Sequence, residues 1–231
     1  MKHGNIIVFG ASSGLGKAVA EYLADKCENL FTVSRRDPKV GNWIKTDLTK
    51  NEEIIQLAKG LEKTKIDGLL YLGGTWEEHA FTSDYDFKTS TDRDIDNVIS
   101  VNLIAPIKVV KYLLPNLEKS ENAKVVFMGA LSGLDNFPSP EVANSSSKFG
   151  LRGAVHSLRQ TLNSYEIGVT VINAGNIGTP EVLQDLKNSN LDESNAIPIA
   201  DYLRIIELIL TLSKDTTIKE IDLPNTKGKS A

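Results

Sequence analysis

The run Gly10-Ala11-Ser12-Ser13-Gly14-Leu15-Gly16 carries the strongest chemical signal in the chain. It follows the apolar stretch Ile6-Ile7-Val8-Phe9 and precedes Lys17-Ala18-Val19-Ala20-Glu21-Tyr22-Leu23. That order reads as buried strand, glycine-rich turn and amphipathic helix. Glycine removes a side chain where backbone must come close to something. The first turn of the helix offers free N–H groups and the positive end of its dipole, which together suit a phosphate. The spacing is Gly-x-x-x-Gly-x-Gly and departs from the dinucleotide fingerprint Gly-x-Gly-x-x-Gly, but the strand-before, helix-after context is kept. The alternative is a structural turn in some other α/β protein. Further on, Leu30-Phe31-Thr32-Val33 reads as a second strand, ending in Ser34-Arg35-Arg36-Asp37. In a dinucleotide fold this strand ends beside the adenine ribose, where a carboxylate takes the 2′-hydroxyl and arginine a 2′-phosphate. Ser34 stands in the carboxylate's place with Arg35 and Arg36 beside it, which favours NADP over NAD. Asp37 weighs the other way, as a partner for the arginines or for the ribose.

Several elements must position these groups. Residues 40–46 read as a short edge strand closed by Asp47-Leu48. Asp47 either caps a helix beginning near Thr49 or hydrogen-bonds the adenine amino group. A helix over 51–62 shows Ile54, Ile55, Leu57, Ala58 and Leu61 on one side. A strand over 66–72 runs into Gly73-Gly74, glycines at the crevice where an open sheet binds ligands. The connection 76–88 is polar and aromatic, contains His79, Phe81, Tyr85 and Phe87, and is long enough for a lid or substrate wall. A helix from about 91 to 119 places Asn102 in a mainly apolar face, as a structural bridge or a site residue. A strand at Lys124-Val125-Val126-Phe127-Met128 leads to Ser132, and 134–142 is irregular. The helix over about 143–166 holds Asn144 and Lys148, with Gly150, Gly153 and Ala154 allowing another helix close. Residues 169–172 form a strand, and 173–180, with Gly175, Ile177 and Thr179, its ligand-side loop. Residues 183–196 read as a mobile polar stretch, 200–213 as a final helix and 218–223 as a last strand. This makes one domain over 1–223 and a polar tail over 224–231, with no repeat.

Composition is consistent with this plan. A chain of 231 residues, 41% hydrophobic and 24% charged, suits one α/β domain with ample core. A net charge of -4 argues against nucleic acid or an anionic membrane as partner. The one cysteine, Cys27, assigned to the first helix, excludes a disulfide framework. Met1-Lys2-His3-Gly4-Asn5 leads straight into the first strand, so no signal peptide is expected. Arg204 and Glu207 interrupt the most apolar late segment, so no membrane span is expected there. These features give a cytoplasmic protein with a small-molecule substrate and no metal.

Taken together, Gly10 to Gly16, Asp47-Leu48, Gly73-Gly74, Asn102, Ser147-Lys148 and Gly175 to Thr179 resemble the short-chain dehydrogenase/reductase superfamily over essentially the whole chain. The resemblance implies a single-domain, Rossmann-like, doubly wound parallel α/β sheet of about seven strands with NADP(H) across the strand ends. It also implies Leu72 and Gly74 along the adenosine half, Lys148 on the nicotinamide ribose, and Ile177 and Thr179 on the carboxamide. Pairing through the two long helices, those of Asn102 and Lys148, would make a homodimer. The family's catalytic set is asparagine, serine, tyrosine and lysine, with the tyrosine four residues before the lysine. Here that position is Asn144, and the serine position is Ala130, with Ser132 two residues late. Tyr71-Leu72-Gly73-Gly74 replaces an Asn-Asn-Ala-Gly turn, and Ala174 replaces the usual proline.

These departures shape the chemistry. Ketone reduction needs an acid for the developing alkoxide, worth about two to four powers of ten. An asparagine amide can hydrogen-bond an oxyanion but has no proton to give near neutrality. Conjugate reduction of an enone demands less, because charge spreads into an enolate. Asn144, Ser132 and Lys148 would stabilise that oxygen, with His79 the candidate proton donor. Tailoring reductases of bacilysin- and aeruginosin-type pathways also lack the tyrosine, and this similarity implies a prephenate-derived cyclohexadienone pyruvate as substrate. The expectation is an NADPH-dependent conjugate reductase in biosynthesis. Its competitors are a carbonyl reductase with another acid and a silent NADP-binding sensor or scaffold.

Overall fold

The structure is a computed structural model and describes residues 2–227. Seven strands form one parallel sheet: β1 (His3–Phe9), β2 (Cys27–Ser34), β3 (Asn42–Lys45), β4 (Gly68–Tyr71), β5 (Lys124–Met128), β6 (Gly168–Ala174) and β7 (Glu220–Leu223). Their order is β3-β2-β1-β4-β5-β6-β7. The helices are α1 (Gly14–Leu23), α2 (Asn51–Gly60), α3 (Asp92–Ile99), α4 (Ala105–Leu117), α5 (Val142–Leu162), α6 (Pro180–Asn188) and α7 (Ile199–Thr211). Side chains alternate along a strand, so β1 divides the core in two. Ile7 and Phe9 pack with α2, α4 and α5, while Ile6 and Val8 pack with α1 and α7. Cover on both faces is why the central strands read as unbroken apolar runs.

The chain runs outward from β1 to β3, then returns to β4 and builds the sheet in the other direction. Neighbouring loops part at that reversal, leaving a crevice at the carboxyl ends of the strands. Gly10 stands there with φ 82°, and a Cβ on it would lie 2.5 Å from the Gly73 Cα. Two glycine turns therefore meet backbone to backbone between β1 and β4.

Residues Ser100–Ile104 form a single π turn between α3 and α4. Pro106 has no N–H for the Asn102 carbonyl four residues back, and its ring would collide with it. The wider turn accommodates the proline and leaves Asn102 buried inside. The run Asp92–Leu117 has the length and apolarity of a membrane span. Here Val98, Val109, Val110 and Leu113 are buried in the fold, as a core helix requires.

Three sequence expectations need correction. Cys27 opens β2 rather than lying in α1, with its thiol donating to the Leu23 carbonyl at 3.1 Å. Asp47 does not cap α2, which starts at Asn51; it accepts from the Thr49 N–H at 3.0 Å and hydroxyl at 2.8 Å. Residues 183–196 are no loose stretch, because the Thr179 hydroxyl caps α6, Pro180 starts it, and a 3₁₀ turn, Glu193–Asn195, follows. Of the tail, 228–231 lie outside the described residues.

Candidate active site

One cavity of about 560 Å³ follows the strand ends. At one extreme it is walled by Gly10, Ser12, Ser13, Gly14 and Leu15 after β1, by Ser34, Arg35 and Arg36 at the end of β2, and by Asp47 and Leu48 after β3. Leu72, Gly73 and Gly74 after β4 form the middle. Ser132, Asn144, Lys148, Gly175, Ile177 and Thr179 close the other extreme, with Trp76, Phe81 and Val182 at its side. Of the residues singled out in the sequence, Gly16, Asn102 and His79 are not on this wall.

The phosphate end shows its own preference for an anion. Gly14 has φ 51°, and nothing lies within 4 Å of where its Cβ would be. Its N–H donates to the Glu181 carboxylate at 3.0 Å. Glu181's own N–H, the Gly14 N–H, the Thr179 hydroxyl and the Lys17 charge hold that carboxyl below the usual carboxylate range. A negative oxygen thus already sits at the mouth of α1, where dipole and free N–H groups favour it. Gly16 serves packing instead: a Cβ on it would collide with the Gly10 carbonyl.

At the end of β2, the Ser34 hydroxyl donates to the Arg36 carbonyl at 2.6 Å and shapes the turn. Asp37 accepts from the Lys39 N–H and ammonium, both at 2.8 Å, so it pairs with neither arginine. Arg35 and Arg36 line the cavity with exposed guanidinium-bearing side chains. Burial pushes the Asp47 carboxyl up, but the Thr49 donors and the Arg35 and Lys50 charges prevail and hold it low.

At the other end, Asn144 and Lys148 lie one helical turn apart on α5, so both face the cavity. The Lys148 ammonium donates to the Met128 carbonyl at 3.0 Å, and burial pushes its pKa down to about 8. Gly133 lets the turn after β5 press onto α5: its Cβ position is 3.0 Å from Lys148 backbone. The Ser145 hydroxyl donates to the Ser132 carbonyl at 2.9 Å, fixing the same turn. Ser132 Oγ then accepts from Asn144 Nδ2 at 3.4 Å. Asn102 sits behind this group. Its Oδ1 accepts from the Thr75 N–H at 2.9 Å, and its Nδ2 donates to the Thr75 carbonyl at 2.8 Å and Ser147 Oγ at 3.1 Å. Those bonds use its amide, so Asn102 is a bridge that positions the wall rather than a group reaching the cavity.

His79 is misplaced as a proton donor. It has φ 59°, is exposed, and places Nε2 3.8 Å from the Glu78 carboxylate. Among the described residues, no tyrosine lines the cavity. Tyr71 stacks on Phe9 and donates to the Val101 carbonyl at 2.6 Å. Tyr202 is buried with its hydroxyl 3.4 Å from the Met128 sulfur. Burial pushes both phenols up. Sequence reasoning missed Glu77, whose buried carboxylate accepts from the Ala143 N–H at 2.7 Å and the Asn144 N–H at 3.1 Å. The clue was that α5 opens without a local capping side chain, so its free N–H groups need a remote acceptor.

The sequence model of the short chain dehydrogenase family matches residues 4–190. The chain belongs to the short chain dehydrogenase family. Relatives of this family include a short chain dehydrogenase of Aspergillus calidoustus, 25% identical over 83% of this chain and 76% of its own. The carbonyl reductase family member 4 of Xenopus laevis is 27% identical over 84% of this chain and 83% of its own. A short chain dehydrogenase of Escherichia coli CFT073, solved with NADPH, has the same fold: TM-score 0.82, 21% identity, 96% of this chain and 97% of that one. Within this oxidoreductase family, the glycine turns, the helix mouth, the arginine pair and the buried ammonium fit a dinucleotide. Gly14 and Leu15 would take its phosphates, and Lys148 and Thr179 its far end.

Proposed function

We propose that this protein is an NADPH-dependent reductase of an activated C=C bond in an uncharged, enone-like small molecule. The carrying observation is the convergence of Asn144, Ser132 and Lys148 on a cavity end that, among the described residues, no tyrosine lines. Arg35 and Arg36, free of Asp37, would hold the 2′-phosphate that separates NADPH from NADH. Bound there, NADPH would supply a hydride to the β-carbon of the enone. The C=C π pair would become the double bond between the α-carbon and the carbonyl carbon, and the C=O π pair would pass to the oxygen. The Ser132 hydroxyl, polarised by the Asn144 amide, donates to that oxygen, as do the remaining Lys148 N–H bonds. With His79 outside, Lys148 is the acid within the cavity, and its pKa of about 8 matches proton delivery near neutrality. The α-carbon of the enolate then takes the proton from Lys148, restoring the C=O bond and giving the saturated ketone, and solvent reprotonates the lysine.

The lining bears on the substrate's charge. Among the described residues, Arg35 and Arg36 lie at the adenine end and Lys148 is the one cation at the reacting end. A prephenate-derived pyruvate would ask for more, which favours a neutral enone. Carbonyl reduction with Lys148 as the acid is the second reading, favoured by the same amine. A second copy is proposed to pair through the π turn with α4 and through α5, where Ile104, Ile107 and Phe149 are exposed; light scattering on wild type and Phe149→Glu tests this.

NADPH consumption with a panel of cyclic and acyclic enones and ketones tests the reading, with product analysis to separate C=C from C=O reduction. Turnover to saturated ketone, with NADPH preferred over NADH, is expected. Tight NADPH binding with no hydride transfer to any member would replace the reductase with a cofactor sensor.

A further inference from the structure

We infer that Trp76 and Phe81 form the specificity wall of the site and select a planar, uncharged enone conjugated to a ring. The inference rests on the reductase reading for its substrate and on the following geometry for its wall. Trp76 and Phe81 line the cavity beside Asn144, yet are 59% and 61% exposed. Their ring centroids are 6.0 Å apart and the planes are inclined by 65°. This open aromatic corner leaves one face of each ring for a third flat group.

The corner is held in place rather than trailing in solvent. Glu77 reaches from the wall to the Ala143 and Asn144 N–H groups of α5. In return, Glu141, at the start of α5, accepts from the Phe81 N–H at 2.8 Å and from the Ser139 hydroxyl. Both carboxylates are buried. Phe81 itself stands at φ 64°, an unfavourable region for an aromatic residue that persists only where the surroundings fix it. Two reciprocal tethers therefore connect the aromatic corner to the helix that carries Asn144 and Lys148. A ring seated against Trp76 and Phe81 has its conjugated carbonyl directed along the same wall toward those donors. Lys148 is the one cation at this end among the described residues, and its remaining N–H bonds serve the carbonyl oxygen, so a carboxylate carried on the ring itself, against Trp76 and Phe81, meets no cation on the wall.

The chain has two tryptophans, Trp43 and Trp76, and Trp43 is not on the cavity wall. In Trp43→Phe protein with NADP present, benzylideneacetone should quench the remaining emission saturably, whereas 4-carboxybenzylideneacetone, equally flat but anionic on the ring, should not. Trp76→Phe protein, which retains only Trp43, controls for collisional quenching and should show no saturation. Trp76→Ala and Phe81→Ala should each raise KM for benzylideneacetone about tenfold, leave kcat within about twofold, and leave KM for open-chain pentenone nearly unchanged. Unaltered NADPH affinity would show that the variants are folded, and Phe81→Leu repeats the test with smaller disturbance. Equal losses on the ring and open-chain substrates, or turnover without saturable quenching, would overturn the wall. Saturable quenching without turnover of any enone would uphold the wall and overturn the reductase reading, so the two fail separately.

Discussion

The two ends of the cavity are built by different means. At the phosphate end the recognising groups are mostly backbone: the Gly10 and Gly73 turns in contact, the Gly14 N–H, and the mouth of α1. At the reacting end they are side chains from the turn after β5, from α5 and from the wall after β4, joined by hydrogen bonds between residues far apart in sequence. Backbone recognition fixes residue types, since only glycine permits these approaches. Side-chain recognition leaves room for substitution, and among the described residues the reacting end is lined by the Asn144 amide and by no tyrosine.

The largest effect should come from removing Lys148, the one cation at the reacting end among the described residues. Lys148→Ala is expected to lower kcat by about two to four powers of ten while the fold persists, measured as steady-state enone reduction. Residual activity within about tenfold of wild type would mean that the donors act elsewhere.

Next in size is a test of the opposite end. Replacing Arg35 and Arg36 with Ala should raise KM for NADPH by about ten- to a hundredfold and change KM for NADH little. Equal losses with both cofactors would remove the 2′-phosphate from the account.

This contrast also decides what could be read from sequence. The strand–turn–helix at Gly10, the glycines after β4 and the basic pair after β2 were legible, because each is a local consequence of backbone geometry. Lys148 was singled out through the family resemblance at Ser147-Lys148, and α5 carries it on the cavity wall one turn from Asn144. His79 misled because its direction is set by a left-handed turn, φ 59°, which composition does not reveal. Glu77 and Glu141 were illegible because their partners lie 66 and 60 positions away. Asn102 was correctly placed as a buried amide, but only its bonds to Thr75 and Ser147 settle that it acts as a bridge.

Acidity gives a further test of the reacting end. Burial holds the Lys148 ammonium at about 8, well below an ordinary lysine. The protonated form is the acid, so kcat/KM should be level on the acid side and fall as pH rises through about 8. A profile flat through that region would assign the proton to water.

The smallest effect belongs to the phosphate end. Glu181 occupies the Gly14 N–H and carries a negative charge where the cofactor's phosphates would lie. Glu181→Gln should therefore tighten NADPH binding about two- to fivefold, with the gain shrinking as salt rises. Weaker binding, read by calorimetry, would show instead that the carboxylate fastens α6 over the cofactor.

The central claim is that this cavity directs hydride to carbon in conjugation with a carbonyl without a phenolic acid. It is tested most directly by turning over a cyclic enone with NADPH deuterated at the transferring position and locating the label in the product. Deuterium at the β-carbon of a saturated ketone is the result expected. Deuterium on the carbinol carbon of an allylic alcohol would contradict it.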